Sequence, residues 1–187
     1  MVQAPKKPLT LKSFLSLPEA KPASEYIDGH VTQKPMPQTQ HSALQQDLSA
    51  AINAVTRAKK VARAFPKLRC SFDNSAVVPD IAVLLWENIP RKEDGKLENK
   101  ISIAPDWAVE ILSPGQRSAK VIKKILHCLK HGTQMGWLIA PAEQSIFVYR
   151  PQKEIIVLDE PNEVLPVPEF MTPFTLTVED LFSFLYE

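Results

Sequence analysis

The sequence predicts a mixed α/β (α+β) chain in which a mixed central β-sheet is flanked by helices. Three observations carry this. Short apolar and β-branched runs bounded by turn residues recur through the middle of the chain, helical stripes alternate with them, and no internal repeat or low-complexity tract interrupts the order. The 187 residues, 44% hydrophobic and 23% charged, suit one domain spanning 1–187, with an N-terminal arm at 1–23 and a C-terminal extension at 159–187.

Taken in order, residues 9–17 read as a short helix stopped by Pro18. Glu25 to Val31 reads as a β-hairpin, with Asp28-Gly29 supplying its tight turn. A helix from about Gln40 to Arg57 follows from the stripe Leu44, Leu48, Ile52 and Val55. Strands are expected near 61–72, 77–85 and 106–112, with the polar loop Pro90 to Lys100 between the last two. A second long helix covers about Ser118 to His131 and ends at Gly132, a residue free to adopt the left-handed conformation. Strands near 135–140, 145–150 and 154–158 come next, then a proline-rich crossing and a last helix from Val178 to Leu185.

Composition excludes several classes. Met1 to Lys7 leads into no long apolar segment, so neither a signal peptide nor a membrane span is expected, and a cytoplasmic location fits. Cys70 and Cys128 have no metal-type spacing and make no disulfide framework. There is no Gly-x-Ser-x-Gly elbow, phosphate-binding Gly-rich loop or dinucleotide fingerprint. Net charge is only +1, but it is unevenly spread. No acid lies between Leu48 and Phe72, where Arg57, Lys59, Lys60, Arg63, Lys67 and Arg69 cluster. None lies between Ile111 and Ala142 either, a stretch holding Arg117, Lys120, Lys123, Lys124 and Lys130. The basic stretches 57–69 and 117–130 are therefore candidates for holding a phosphate backbone, with ordinary solvated faces as the alternative.

Two acids stand out against their surroundings. Asp80 lies within Val77 to Leu85 and Glu110 within Trp107 to Leu112, both apolar runs that read as interior strands. By period 2, Val78, Asp80, Ala82 and Leu84 share one face, as do Asp106, Ala108, Glu110 and Leu112; bulky Val77, Ile81, Val83, Trp107, Val109 and Ile111 take the opposite faces. An alanine two residues from each acid leaves room beside the carboxylates. A buried acid needs a compensating charge, which either a divalent cation shared by the two or a buried Lys or Arg would supply.

The helix at 118–131 offers such a lysine. Lys120, Lys123, His127 and His131 centre its polar face, and Val121, Ile122, Ile125, Cys128 and Leu129 its apolar face. Lys124 falls on the boundary, where a stem can lie on the core and send its ammonium into a pocket. Lys120, one turn earlier, points more toward solvent. His127 and His131 have the i, i+4 spacing of a zinc pair but lack the Glu of the protease motif, and amid lysines they read as solvent-facing. His41, on the Leu44 side of its helix, and Glu25, at the start of the hairpin, are secondary candidates for the site.

Glu25-Tyr26-Ile27-Asp28-Gly29, Pro35-Met36-Pro37, His41, Pro79-Asp80-Ile81-Ala82-Val83, Glu110-Ile111-Leu112-Ser113-Pro114 and Gly136-Trp137-Leu138-Ile139 form an ordered set. In this the chain resembles the PD-(D/E)XK nucleases, and more closely the Uma2 (DUF820) family, abundant in cyanobacteria. The resemblance implies a restriction-endonuclease-like core with an added N-terminal hairpin and C-terminal strands and helix. It implies a Mg²⁺- or Mn²⁺-dependent endonuclease cutting phosphodiester bonds of DNA, with Asp80, Glu110 and the Ile111 backbone carbonyl as metal ligands. In the simplest form of the motif a lysine follows the second acid by two residues, and here Leu112 stands there. The resemblance moves the lysine to the following helix, where counting back from Gly132 selects Lys124, with Lys120 as the alternative; His41 or Glu25 would assist. Cys128 in place of a family tyrosine, and Ala140-Pro141 in place of Asp-Pro, are departures. Family analogy adds a homodimer, in which two sites about a twofold axis cut both strands. Rival readings are a nucleic-acid-binding or regulatory module of the same fold without turnover, and a hydrolase of small phosphates.

Overall fold

A computed structural model describes residues 9–172 and 174–186. Its elements are α1 (Leu11–Leu15), β1 (Ser24–Ile27), β2 (His30–Gln33), α2 (Thr39–Thr56), β3 (Ala62–Pro66), β4 (Cys70–Phe72), β5 (Ser75–Val77), β6 (Ile81–Leu85), β7 (Trp107–Ile111), α3 (Ser118–Lys130), β8 (Met135–Ala140), β9 (Ser145–Tyr149), β10 (Ile156–Leu158) and α4 (Val178–Ser183), with two short 3₁₀ turns at Trp86–Asn88 and Glu169–Met171. A six-stranded sheet runs β10-β9-β8-β7-β6-β3, and a four-stranded sheet runs β2-β1-β5-β4. Among the described strands β7 and β8 alone form a parallel ladder, and α3 is the crossover that this connection needs. No helix among the described residues is long and apolar enough to cross a membrane.

The mixed α+β class is as expected, but two strands divide. The run 61–72 gives β3 in the large sheet and β4 in the small one, with Lys67 at φ +52° between them. The run 77–85 likewise gives β5 in the small sheet and β6 in the large one. The break falls at Val78-Pro79-Asp80, where proline has no N–H to continue a ladder. Asp80 therefore sits at the entry of β6, not in mid-strand. The crossing also moves Val77, expected with Ile81 and Val83, into the cluster containing Ala82, Leu84 and Ala108. The final helix stops at Ser183, two residues short of the expected Leu185.

The large sheet separates two environments. On one face Ile81, Val83, Trp107, Val109, Ile111, Trp137 and Ile139 pack with Leu44, Leu48 and Ile52 of α2. The C-terminal extension closes that core with Leu165, Met171, Phe174, Leu176, Leu181 and Phe182. On the other face α3 lays Val121 and Ile125 on Leu138 and Tyr149. A Cβ at Gly136 would run into Ile125 Cγ2, so glycine lets α3 approach β8 closely. That approach brings Lys124, the neighbour of Ile125, down onto β7.

Candidate active site

Three carboxylates meet at the junction of the two sheets: Glu25 from β1, Asp80 from the β5–β6 crossing and Glu110 from β7, all buried. The small side chains Ala82 and Ala108, directly paired across β6 and β7, are buried in one apolar cluster with Leu84 and Cys128 of α3. Lys124 reaches the cluster from α3. Its Nζ lies 2.8 Å from Glu110 Oε2 and donates to Glu25 Oε1 and Oε2 at 2.9 and 3.1 Å. Glu25 Oε1 also accepts the Val78 N–H at 2.7 Å, which ties the small sheet to the crossing.

Asp80 is held from the other side. Its Oδ2 accepts the Ile111 N–H at 2.9 Å and lies 3.2 Å from His41 Nε2. Its Oδ1 accepts from Lys34 Nζ at 2.6 Å, and the same ammonium stands 3.5 Å from Glu110 Oε2. Gln45 of α2 donates to the Asp80 carbonyl. Lys34, just beyond β2, and Gln45 were not among the residues singled out from sequence. Lys34 follows an exposed strand whose composition says nothing of the interior, and the hairpin's fold-over carries it to Asp80.

Of the expected site residues, Glu25, His41, Asp80, Glu110 and Lys124 converge, whereas Lys120 remains exposed on α3 outside the ion-paired cluster. Leu112 packs with Val121, Ile125, Leu138 and Tyr149 on the α3 side, so the apolar residue in the motif's lysine position fills core. Cys128 is buried beside Cys70 and Ala108, and burial raises its thiol pKa and keeps it inert. Asp106 is a structural acid: it accepts the Leu85 N–H and the Asn88 amide at the far end of β6. His127 and His131 depart from expectation, being half-buried against Phe72.

The electrostatics follow from burial. Burial raises the Glu110 carboxyl to about 7, against the pull of Lys124 and then Lys34. Burial also pushes Asp80 up, but Lys34, the His41 hydrogen bond and charge, and Lys124 together hold it well below the usual carboxylate range. For Lys124 burial favours the neutral amine, yet Glu110, Glu25 and Asp80 outweigh it and hold the ammonium charged. Three carboxylates face two ammonium groups, and Glu110 Oε1 is shut from solvent with no hydrogen-bond partner among the described residues. An all-oxygen set with an orphaned buried carboxylate oxygen, and one cation already between Asp80 and Glu110, fits a hard divalent ion. The Ile111 N–H points at Asp80, and in an extended residue the carbonyl leaves the same edge, so that oxygen suits the same set.

Two clefts open onto the cluster. One of about 830 Å³ runs between the β1–β2 hairpin and α3, lined by Glu25, Lys34, Arg117, Lys120, Lys123, Lys124 and Lys130. The other, about 280 Å³, exposes Asp80 and His41 beside Lys34, Pro35 and Lys67. The basic stretch 117–130 thus borders the acids, whereas of 57–69 only Lys67 lines a cleft at the cluster and Arg63 lies on the sheet-edge strand β3.

The profile of the Uma2 family, described as a putative restriction endonuclease, matches residues 11–179. The chain belongs to the Uma2 family. This Uma2 chain is also similar to a protein of known crystal structure, described as a putative nuclease belonging to DUF820 from Anabaena variabilis ATCC 29413. The two share 57% identity over 95% of this chain and 99% of the other, with a TM-score of 0.94. The Uma2 member therefore shares its nuclease-type fold over nearly its whole length. No curated protein matches it.

Proposed function

We propose that this Uma2 chain is a divalent-metal-dependent endodeoxyribonuclease whose catalytic group is Asp80, Glu110 and Lys124. The observation that carries the reading is a buried lysine locked between two carboxylates at the base of a cation-lined cleft. Asp80, Glu110 and the Ile111 carbonyl would hold Mg²⁺ or Mn²⁺. A bound ion of this kind supplies Lewis-acid polarisation of the phosphate, easier deprotonation of the attacking water and stabilisation of the leaving oxygen.

The chain's own residues do the rest. Lys124, fixed by Glu25 and Glu110, presents a preorganised positive charge to phosphate oxygens as charge builds on them. His41 orients the Asp80 carboxylate, leaving the opposite oxygen to Lys34. Lys34, between Asp80 and Glu110, would have to vacate that space for such an ion, and its flexible stem lets the ammonium turn to the substrate backbone. Arg117, Lys120, Lys123 and Lys130 hold that backbone without regard to sequence, by contacts that weaken with salt. The cleft's exposed lining favours a polymer over a small phosphate.

The test is nicking of supercoiled plasmid with Mg²⁺ or Mn²⁺. Wild type should cut, whereas Asp80→Ala and Glu110→Ala, checked for folding, should lose at least about 10²–10³-fold in rate. Equal cleavage by either variant would refute the assignment. One observation favours a second reading, a DNA-binding module without turnover: Lys34 already neutralises the space between the acids. That reading predicts salt-sensitive binding of the plasmid with no cleavage under any metal.

A further inference from the structure

A second cluster lies at the C-terminal end of α3, one turn beyond Lys124. It draws on two elements that the nuclease reading leaves unused. Phe72 and Ser75 bracket the two-residue turn Asp73-Asn74 between β4 and β5, with φ of +44° and +51°. This turn hangs over the last turn of α3, where His127 and His131 stand one above the other. One ligand atom from each of Asp73, His127 and His131 lies within 4.8 Å of the other two.

The hydrogen bonding is incomplete in an informative way. His131 Nδ1 lies 2.8 Å from the His127 carbonyl, which can only accept, so that nitrogen carries the hydrogen. His131 Nε2 then faces Asp73 Oδ2 at 2.8 Å. Two acceptors so placed need a proton or a metal ion between them. Nor is His127 satisfied: its Nε2 is shut from solvent and has no hydrogen-bond partner among the described residues. Phe72 stacks on His127 at 5.2 Å and tilts against His131 at 5.7 Å, fixing both rings with an apolar wall. A His ligand whose other nitrogen is pinned by a backbone carbonyl is the usual arrangement behind a metal-bound imidazole.

We propose that Asp73, His127 and His131 form a zinc site that clips the β4–β5 turn to α3. Two imidazoles and one carboxylate suit Zn²⁺, with water as the fourth ligand, and suit Mg²⁺ poorly. The site is chemically distinct from the all-oxygen set at Asp80 and Glu110 and does not rest on the nuclease reading. Its position gives it a consequence. His127 follows Lys124 by three residues on the same helix, so a zinc clip restrains the segment that presents Lys124.

Titration calorimetry with Zn²⁺ alone, on the full chain carrying Asp80→Asn and Glu110→Gln and verified as folded by circular dichroism, isolates this site. Near-stoichiometric binding is expected, with Co²⁺ giving the visible absorption of a four-coordinate ion. Asp73→Asn, which retains a residue suited to the left-handed turn, and His131→Ala should each weaken binding by about 100-fold or more. No Zn²⁺ binding in the doubly substituted background, or binding unchanged by Asp73→Asn and His131→Ala, would overturn the proposal.

Discussion

The two faces of the six-stranded sheet are made from the same strands and do opposite work. Toward α2, β6 to β8 present Ile81, Val83, Trp107, Val109, Ile111, Trp137 and Ile139, all sealed from water. Toward α3 the alternate positions carry the small Ala82, Ala108 and Gly136 and the acid Glu110 between Leu84 and Leu138. The small residues forgo apolar burial on that face to admit a helix and a cluster of ions. Stability concentrates on one face, which leaves the other free for a site that is expensive to bury.

Breaking each face should give different signatures. Trp137→Ala on the sealed face should cost about 3–5 kcal/mol in urea unfolding, while the folded fraction keeps its Mn²⁺ affinity. Gly136→Val on the open face should cost less, about 1–3 kcal/mol, because α3 can shift away. The same shift displaces Lys124 and should slow plasmid cleavage by about 10²-fold. If instead Gly136→Val slowed cleavage no more than Trp137→Ala, the close approach of α3 to β8 would not be what positions Lys124.

Lys34 sharpens the comparison further. Its ammonium occupies the gap between the acids, so binding a divalent ion must break a charge-assisted hydrogen bond worth about 1.5–3 kcal/mol. Lys34→Ala should tighten Mn²⁺ binding by about tenfold or more, measured calorimetrically. Weaker binding would mean that Lys34 does not compete for the site.

The smallest effect is on acid stability. Asp80 has its pKa lowered below the ordinary 3.8, so its contribution is present above that value and is lost as pH falls toward the folded-state pKa. Thermal melts from about pH 5 down to about pH 2 should show a shallower acid decline for Asp80→Asn than for wild type. An identical decline would show that other carboxylates dominate the acid limb.

How much of this was legible depended on whether the signal was local. Asp80 and Glu110 announce themselves because an acid in an apolar run needs a reason. Lys124 follows from its place on the boundary of the α3 wheel, and Leu112 from the apolar filling of its strand. What escaped was set by partners distant in sequence. Lys34 meets Asp80 only through the folding of the hairpin, and His127 and His131 are covered by a turn contributed by Phe72 and Asp73. The division at Pro79 was hidden because residues 77–85 stay apolar while the chain passes between two sheets, each of which buries them. Periodicity reports burial, not which sheet provides it.

The central claim is that a lysine from α3 completes the site that the sheet begins. Single-turnover cleavage of plasmid DNA in Mn²⁺ by Lys124→Met, beside wild type and with folding verified by circular dichroism, tests it most directly. Retained Mn²⁺ binding and cleavage slowed by about 10²-fold or more are expected in the variant. Cleavage by Lys124→Met at the wild-type rate would contradict it.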